Sequence, residues 1–282
     1  MEERNLPAFD LVVATVDRVE ELERLLSSLR RQTHQGFRVV LVDQNEDDRL
    51  DPVLAAQPGL DVLRLRASRG LSRARNVALG HLTADVVAFP DDDCVYPEDL
   101  LERVARRLAA DPEVGGLTGR AVDEAGLPHP HWREDAAPLT RLDLWNRAIS
   151  YTVFLRRSVV EQVGAFDERL GLGSGTPWSS GEEIDYLVRA LDAGARLAYD
   201  PELSIVHARP AAAGHELRAI AFRDGASVGV VLRTHRYPPR AVLRMLVRPL
   251  GGALLALLRL DGARAAVHLA TLRGRIVGYR RS

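Results

Sequence analysis

Three consecutive aspartates, Asp91–Asp93, follow directly on an apolar run in the stretch VVAFPDDDCVYPEDL (86–100). Carboxylates packed this closely repel one another, and a solvated turn with helix-capping acids is the usual explanation. Here the next helix already carries two acids in its first turn, so the cluster needs another counter-charge. Oxygen ligands suit Mg²⁺ or Mn²⁺. Because Mg²⁺ takes few protein carboxylates and fills its shell with phosphate and water, the cluster predicts a site for a metal and a diphosphate.

A second acidic group follows a glycine- and serine-rich stretch that contains Trp178. In SGEEIDYLVRA (180–190), Glu182 and Glu183 begin a predicted helix, and Asp185 lies in its first turn. Such acids could simply complement the helix dipole, and Asp185 could form an ordinary surface pair with the arginine one turn later. Two glutamates beside a flexible loop and an aromatic ring equally suit a sugar site. The residues alone leave both interpretations open.

The elements that must position these residues alternate between strands and helices over roughly the first 120 residues, which predicts an α/β fold with a mostly parallel sheet covered on both faces. Thr15, Asp17 and Asp43 follow predicted strands, as the aspartate cluster does. Ligands of open α/β sheets bind at the carboxyl ends of strands, so this region predicts a nucleotide-binding half. The predicted strands are 9–15, 38–45, 61–67, 85–89 and 114–122, and the predicted helices are 19–33, 71–83 and 97–111.

The remaining patterns narrow the class of protein. Neither GxGxxG nor GxxxxGK[ST] occurs, which weighs against a dehydrogenase or a P-loop enzyme. A proline-rich surface loop is expected at 123–140, followed by a strand and a short helix in 148–171. A further strand should begin near Arg196 and another end at His207, and the chain after Gly214 reads as helical.

Composition indicates a globular protein, with 46% hydrophobic residues among 282 and a single cysteine, Cys94, which excludes an internal disulfide and fits a reducing compartment. No secretory signal is recognisable, and no uninterrupted apolar stretch approaches the roughly 20 residues of a membrane-spanning helix. We therefore expect a cytoplasmic protein, with attachment to the inner face of the cell membrane as an alternative, and no nucleic-acid partner.

All 38 basic residues are arginines, and their distribution is uneven. Residues 211–282 contain 13 arginines and three acids, which leaves 25 basic and 36 acidic residues in the remainder. A basic tail on an acidic body suggests an anionic partner. Arginines on solvated helix faces explain the same counts, so charge alone favours neither reading.

Five segments occur in the order and spacing of family 2 of the inverting nucleotide-sugar glycosyltransferases, which have the GT-A fold. FPDDDCVYP resembles the Asp-x-Asp motif, VVATVDR (12–18) the first strand and turn, and VVLVDQN (39–45) the second strand. RGLSRARNVAL (69–79) resembles the Gly-x-x-x-Ala-Arg-Asn segment, and 180–190 resembles the Glu-Asp motif. Ala14 and Asp17 replace the usual proline and asparagine. The resemblance covers roughly positions 9–208.

The resemblance implies a metal-dependent inverting transfer from a UDP-, dTDP- or GDP-sugar to a hydroxyl acceptor on a cell-surface glycan, a glycolipid or a natural product. Asp43 would recognise the nucleobase. Either His207 lies near the metal or it is a satisfied core residue, and Arg75 either contacts the diphosphate or faces solvent. The implied donor-binding residues are Thr15, Asp17, Arg18, Asp43, Arg75, Asn76, Asp91, Asp92 and Trp178, and the implied metal ligands are Asp91, Asp93 and His207, with Mn²⁺ or Mg²⁺ as the cofactor.

The resemblance also implies a general base, because the second acid of the family's Glu-Asp motif aligns with Glu183. Since the position holds Glu rather than Asp, Glu182 stays as the alternative, and Asp185 would orient the loop or contact the acceptor. Two rival functions predict other features. A sugar-phosphate nucleotidyltransferase would need a lysine-rich N-terminal loop, and the chain has no lysine. A non-catalytic nucleotide-sugar binding subunit would not need the intact acidic motif.

We expect a glycosyltransferase domain at 1–212, divided into 1–122 and 123–212, and a helical extension at 213–282. In the extension Arg240, Arg244 and Arg248 recur on one helix face. The apolar residues of another face are Val242, Leu246, Leu250, Leu254 and Leu258. This amphipathic helix would either pack on the body or a second copy, or lie in a membrane surface, where a lipid-linked acceptor would be found.

Overall fold

The computed structural model describes residues 6–129, 132–208 and 214–281, and it contains two compact units. The first unit holds the β-sheet with its flanking helices. The second unit comprises Gly70–Ser72, Asp167–Asp185 and the C-terminal helices. The predicted boundary between 212 and 213 lies outside the described residues, as do positions 130–131 of the predicted surface loop.

One nine-stranded sheet forms the centre of the first unit, in the order β3-β2-β1-β4-β8-β6-β9-β5, with β7 also paired to β9. Its strands are β1 (Phe9–Thr15), β2 (Phe37–Asp43), β3 (Val62–Arg66), β4 (Val86–Ala88), β5 (Cys94–Val95), β6 (Gly116–Val122), β7 (Ala137–Pro138), β8 (Val153–Arg156) and β9 (Leu197–His207). The α/β fold class predicted from the sequence is confirmed.

The sheet is parallel in one half and mixed in the other. Strands β3, β2, β1 and β4 run parallel, as their helical crossovers require, whereas β8 is antiparallel to both β4 and β6. The parallel register places Thr15 opposite Asp43, and Asp43 opposite Arg66. The carboxyl ends of the first strands therefore meet at one edge, where polar residues collect.

Helices flank the sheet, and the amphipathic ones turn an apolar stripe toward the core. In α1 the leucines at positions 22, 25, 26 and 29 are fully buried, which matches the periodicity of an amphipathic helix. Burial of each such side chain contributes about 1.5–3 kcal/mol. The helices before the C-terminal region are α1 (Glu20–Arg30), α2 (Asp51–Ala55), α3 (Leu71–Leu79), α4 (Leu100–Ala110), α5 (Leu144–Arg147), α6 (Arg157–Val163) and α7 (Glu182–Asp192).

Three long helices form most of the second unit: α8 (Gly214–Thr234), α9 (Pro239–Leu258) and α10 (Gly262–Arg281). Helices α8 and α10 approach so closely that a Cβ atom at Gly229 or Gly278 would collide with a backbone carbonyl of the other helix. Each glycine belongs to a GxxxG pattern that permits this approach. Among the described residues, α9 alone is long and apolar enough to cross a membrane, although arginines interrupt its apolar sequence.

Candidate functional site

The aspartate cluster lies in the turn between β4 and β5. Strand β5 pairs antiparallel with β9, and this pairing places Cys94 directly opposite His207. As a result, Oδ1 of Asp93 lies 3.0 Å from Nε2 of His207. The sheet thus brings together two residues that are far apart in the sequence.

Asp91, Asp93 and His207 form a group that could hold a metal ion. Each offers one ligand atom, and these atoms all lie within 4.8 Å of one another. The Oδ1 atom of Asp93 is buried but has no well-aligned hydrogen bond, even with the histidine nitrogen beside it. Two carboxylate oxygens and one imidazole nitrogen suit Mn²⁺, and they fit Mg²⁺ less closely because it prefers oxygen. The residues present therefore fit a divalent cation.

The chain also supplies its own counter-charges to the three aspartates. Nη1 of Arg18 donates a hydrogen bond of 2.8 Å to Asp92 and forms a second, shorter one with Asp93. Nη2 of Arg75 lies 3.5 Å from Asp91. The counter-charge that the sequence requires for this cluster is therefore supplied in part by two arginines and a histidine, in addition to any bound metal ion.

The acids differ in their electrostatics. Burial raises the pKa of Asp92, and the neighbouring Thr15 and Arg18 only partly oppose that rise. Burial also acts to raise the pKa of Asp93, but contacts with His207 and Arg18 outweigh it, so that pKa lies below its ordinary value. Burial acts to lower the pKa of His207, and the Asp93 carboxylate outweighs it and raises that pKa. Asp93 and His207 thus favour each other's charged form.

Three neighbours that no sequence pattern singles out hold this group in place. The ring of Tyr151 stacks on His207 with centroids 4.6 Å apart, and Nε2 of His129 lies 3.1 Å from the His207 carbonyl oxygen. The Ser150 hydroxyl donates a 3.1 Å hydrogen bond to Oδ1 of Asp91. Ser150 and Tyr151 belong to the short 3₁₀ helix Ser150–Thr152, whose apolar and polar residues gave no periodic signal.

Asp43 ends β2 at the same edge of the sheet and is fully buried. Its Oδ2 atom accepts hydrogen bonds of 3.0 and 2.7 Å from Arg64, and its Oδ1 atom accepts two from Asn45. Although burial acts to raise the pKa of Asp43, these hydrogen bonds and the charge of Arg66 lower it. The carboxylate is therefore held ionised in a fixed orientation.

Asp17 follows β1 in a left-handed backbone conformation, with φ at 59°. Aspartate tolerates this region better than most residues, and such strained positions cluster at functional sites. Its backbone N–H donates to Oδ1 of Asn45 at 2.8 Å, which fixes the turn. Its carboxylate pairs with Arg49 and Arg69 at 2.9 and 2.6 Å, so the expected nucleoside contact already has two cationic partners.

Arg75 and Asn76 occupy α3, and both have well-defined surroundings. Arg75 is only 2% exposed, which excludes the alternative that it faces solvent, and it lies within 6 Å of the ring centroids of Phe89 and Phe166. The amide of Asn76 donates to the Phe166 carbonyl and accepts from the Phe166 N–H. Asn76 thus holds the backbone beside Arg75, a structural task that the sequence did not indicate.

The acids at the start of α7 and Trp178 belong to the second compact unit, whereas the other donor-binding candidates and the metal candidates belong to the first. Glu182 and Asp185 are buried, at 4% and 3% exposure, and Glu183 is partly exposed. Oδ1 of Asp185 lies 2.8 Å from Nε2 of His235, the residue that directly follows α8, and the sequence did not predict this contact. The backbone of Trp178 bonds to Thr176 and Gly171 within its loop.

Comparison with solved structures shows the fold. A mannosyltransferase from Pyrobaculum calidifontis, solved with GDP-Man and Mn²⁺, superposes with a TM-score of 0.68 at 18% identity, covering 99% of this chain and 89% of that one. TarS residues 1–349 of S. aureus, solved with UDP-GlcNAc, gives a TM-score of 0.60 at 18% identity, covering 94% and 90%.

Proteins similar in sequence to this chain also include glycosyltransferases. The chain is 28% identical over 284 positions to a pre-mycofactocin glycosyltransferase of Mycobacterium tuberculosis, covering 94% of this chain but only 56% of that relative. It is 24% identical to the glycosyltransferase AglE of Haloferax volcanii, covering 78% and 72%. Residues 10–164, more than half of the chain, match the family model described as glycosyl transferase family 2. The resemblance seen in the sequence is confirmed, and the chain belongs to glycosyl transferase family 2.

Proposed function

We propose that this chain is a metal-dependent inverting glycosyltransferase that moves a sugar from a nucleoside diphosphate to a hydroxyl acceptor. The observation that carries the proposal is the convergence of Asp91, Asp93 and His207 at the carboxyl edge of the sheet. A divalent cation held there, Mn²⁺ or Mg²⁺, would neutralise charge that develops on the leaving diphosphate. Two structural neighbours were solved with nucleotide sugars, one of them together with Mn²⁺, which supports this class of donor.

The nucleoside end of the donor would be held by the residues that follow β1 and β2. Asp43 is fully buried and ionised, and both of its oxygens already accept hydrogen bonds from Asn45 and Arg64, so a nucleobase would reach this carboxylate only by displacing one of these partners. Asp17 and Thr15 lie at the same edge. Arg75, whose guanidinium is close to Asp91, would contact the diphosphate, since a planar guanidinium pairs well with phosphate oxygens.

Glu183 is the best candidate for the general base. It would accept the proton of the acceptor hydroxyl while that oxygen attacks the anomeric carbon and the bond to the diphosphate breaks, which inverts the configuration. A base must be reachable by its substrate, and Glu183 is partly exposed while Glu182 and Asp185 are buried. We assign Glu182 and Asp185 to positioning, and Trp178 to contact with a sugar ring.

The acceptor we propose is a hydroxyl compound of a cell-surface glycan, a glycolipid or a natural product. The residues that match the family's motifs say more about the donor than about the acceptor. The chain spans just over half the length of the Mycobacterium relative, so the substrates of the whole relative do not transfer directly.

A binding screen followed by a turnover assay tests the proposal. The full chain is incubated with UDP-, dTDP- and GDP-sugars with and without Mn²⁺, and thermal stability is recorded. We expect stabilisation by one nucleotide together with metal and by neither alone, followed by slow release of nucleoside diphosphate from the matching sugar donor. Stabilisation without any turnover would instead indicate a binding subunit, and no stabilisation by any pair would contradict the proposal.

Inversion of the anomeric configuration is tested by a separate measurement. With the matching donor and a hydroxyl acceptor, NMR of the first product should show the anomeric configuration opposite to that of the donor. A product with retained configuration would contradict the inverting mechanism while leaving the donor site intact.

A further inference from the structure

Helix α9 carries its largest apolar side chains on the outside. Val242, Pro249, Ala253 and Ala256 face inward and are nearly buried, and α9 packs on α10. The outward side chains include Leu243, Leu254 and Leu258, which are 62%, 61% and 74% exposed. This arrangement is the reverse of a helix in a water-soluble bundle, where leucines point to the core.

Six of the seven exposed large apolar residues of α9 form one continuous stripe, which we name the leucine face, and the seventh, Leu255, lies on the neighbouring flank. Its spacing of alternately four and three residues matches the helical repeat, so its members line up along one side. Three arginines border the stripe on the flank away from the buried face and are themselves exposed. The leucine face consists of Leu243, Val247, Leu250, Leu254, Leu257 and Leu258, and the bordering arginines are Arg240, Arg244 and Arg248.

Charge identifies the partner that such a surface fits. The sequence from Arg233 to Leu260 contains six arginines and no aspartate or glutamate. A contiguous exposed apolar surface marks an interaction site, and the bordering arginines require the partner to be anionic as well as apolar. We propose that the leucine face docks on an anionic lipid surface, with α9 lying in the plane of the interface and the arginines at the level of the headgroups.

Two other occupants fit less well. The four-three spacing also occurs in helix pairs, but in two facing copies the arginines beside the seam would meet arginines, with no acid of α9 to pair them. A membrane-spanning α9 would place Arg244 and Arg248 within the hydrocarbon layer, where charged side chains are costly. An interfacial helix satisfies both the leucines and the arginines, and it does so whether or not the proposed reaction is correct.

Vesicle flotation of the full chain tests the docking. We expect the protein to float with vesicles of phosphatidylcholine mixed with phosphatidylglycerol, to float poorly with phosphatidylcholine alone, and to be released from the mixed vesicles by sodium carbonate. Loss of binding at high salt is expected for the same reason, because salt screens the arginines from the headgroups.

The apolar part of the contact is tested by the triple variant Leu250→Gln, Leu254→Gln, Leu258→Gln. These side chains are exposed, so the fold should survive, and the fraction bound to mixed vesicles should fall by roughly tenfold or more. The matched control is the double variant Leu127→Gln, Leu142→Gln, which changes exposed leucines of the other unit and should bind as the unmodified protein does.

The electrostatic part is tested by Arg244→Gln together with Arg248→Gln. Affinity for the mixed vesicles should fall roughly 25-fold, since each basic residue near an anionic surface contributes separately. The control pair Arg31→Gln and Arg106→Gln alters exposed arginines of the first unit and should leave affinity unchanged.

Three results would overturn the proposal. The first is failure of the full chain to float with either vesicle, or flotation that the leucine variant does not weaken. The second is a lipid-free dimer, seen by light scattering, that the leucine variant converts to monomers, which would assign the face to a second copy. The third is binding that resists carbonate, which would indicate a spanning helix.

Discussion

The carboxylates that follow β4 and those that begin α7 are both crowded, but their partners differ. Arg18 pairs with both Asp92 and Asp93, and His207 pairs with Asp93. The aspartates of the first cluster therefore share several positively charged or chargeable partners. In α7, Asp185 has its own buried partner in His235, and Glu183 is the acid with an exposed surface. Carboxylates that share cationic partners suit a site that binds and releases ions. A single accessible carboxylate among buried ones suits proton transfer.

The largest effect should come from Glu183→Gln, which keeps the size of the side chain and removes its basicity. Turnover should fall by roughly 10²–10⁴, the usual contribution of a general base, while binding of the nucleotide and metal stays unchanged. Steady-state assays and calorimetry on the same preparation separate these two outcomes. Full turnover in Glu183→Gln, combined with loss of turnover in Glu182→Gln, would show that Glu182 rather than Glu183 is the general base.

Removal of the partner of Asp185 should act on stability. The side chains of Asp185 and His235 are 5% and 8% exposed, so His235→Phe leaves a buried carboxylate short of a hydrogen bond and should cost about 2 kcal/mol of unfolding free energy. Urea unfolding measures the loss, and the exposed His81→Phe serves as the control. An unchanged midpoint in His235→Phe would show that Asp185 does not depend on this partner.

Unfolding of Asp43→Asn, measured over a range of pH, tests whether the Asp43 carboxylate stabilises the protein in its ionised form. Because the folded-state pKa of Asp43 is lowered, its ionised form contributes stability above the unfolded pKa, near 4, and loses that contribution as pH falls through the folded value. The variant should be about 1–2 kcal/mol less stable at neutral pH, and the difference should shrink below about pH 4. A difference that is constant across pH would contradict an ionic role.

The smallest effect tests whether Arg18 competes with a cation. Arg18→Gln removes a positive charge that contacts both Asp92 and Asp93, so Mn²⁺ alone should bind roughly fivefold more tightly. Calorimetry without nucleotide measures this, and Arg31→Gln, just after α1, is the control. Weaker Mn²⁺ binding in Arg18→Gln would mean that the arginine supports the site rather than competing for it.

The sequence predicted those features that depend on local patterns. Alternating strands and helices predicted the α/β sheet, and the motifs at Asp43, Arg75 and the aspartate cluster predicted the family, which is confirmed. Both depend on residues near one another in the chain or on fixed motif spacing. The mostly parallel sheet that the sequence predicts is parallel in β3, β2, β1 and β4, where helices separate the strands.

Contacts between distant segments could not be predicted in the same way. Nothing in the sequence says that Cys94 pairs with His207, that Tyr151 stacks on that histidine, or that His235 reaches Asp185. These contacts depend on the order of strands and the packing of helices. Likewise, the apolar stripe of α9 was predicted, but Val242 faces inward while Leu254 is exposed, and the small residues Ala253 and Ala256 are buried instead.

The most direct test of the central claim is a calorimetric titration of GDP and UDP into the full chain with and without Mn²⁺, repeated with Asp93→Asn. The account predicts that one nucleotide binds strongly in the presence of the metal and weakly in its absence, and that Asp93→Asn abolishes the metal-dependent part. Indifference of the unmodified chain to Mn²⁺ and to both nucleotides, with the same result for dTDP and for Mg²⁺, or equal binding by Asp93→Asn, would contradict it.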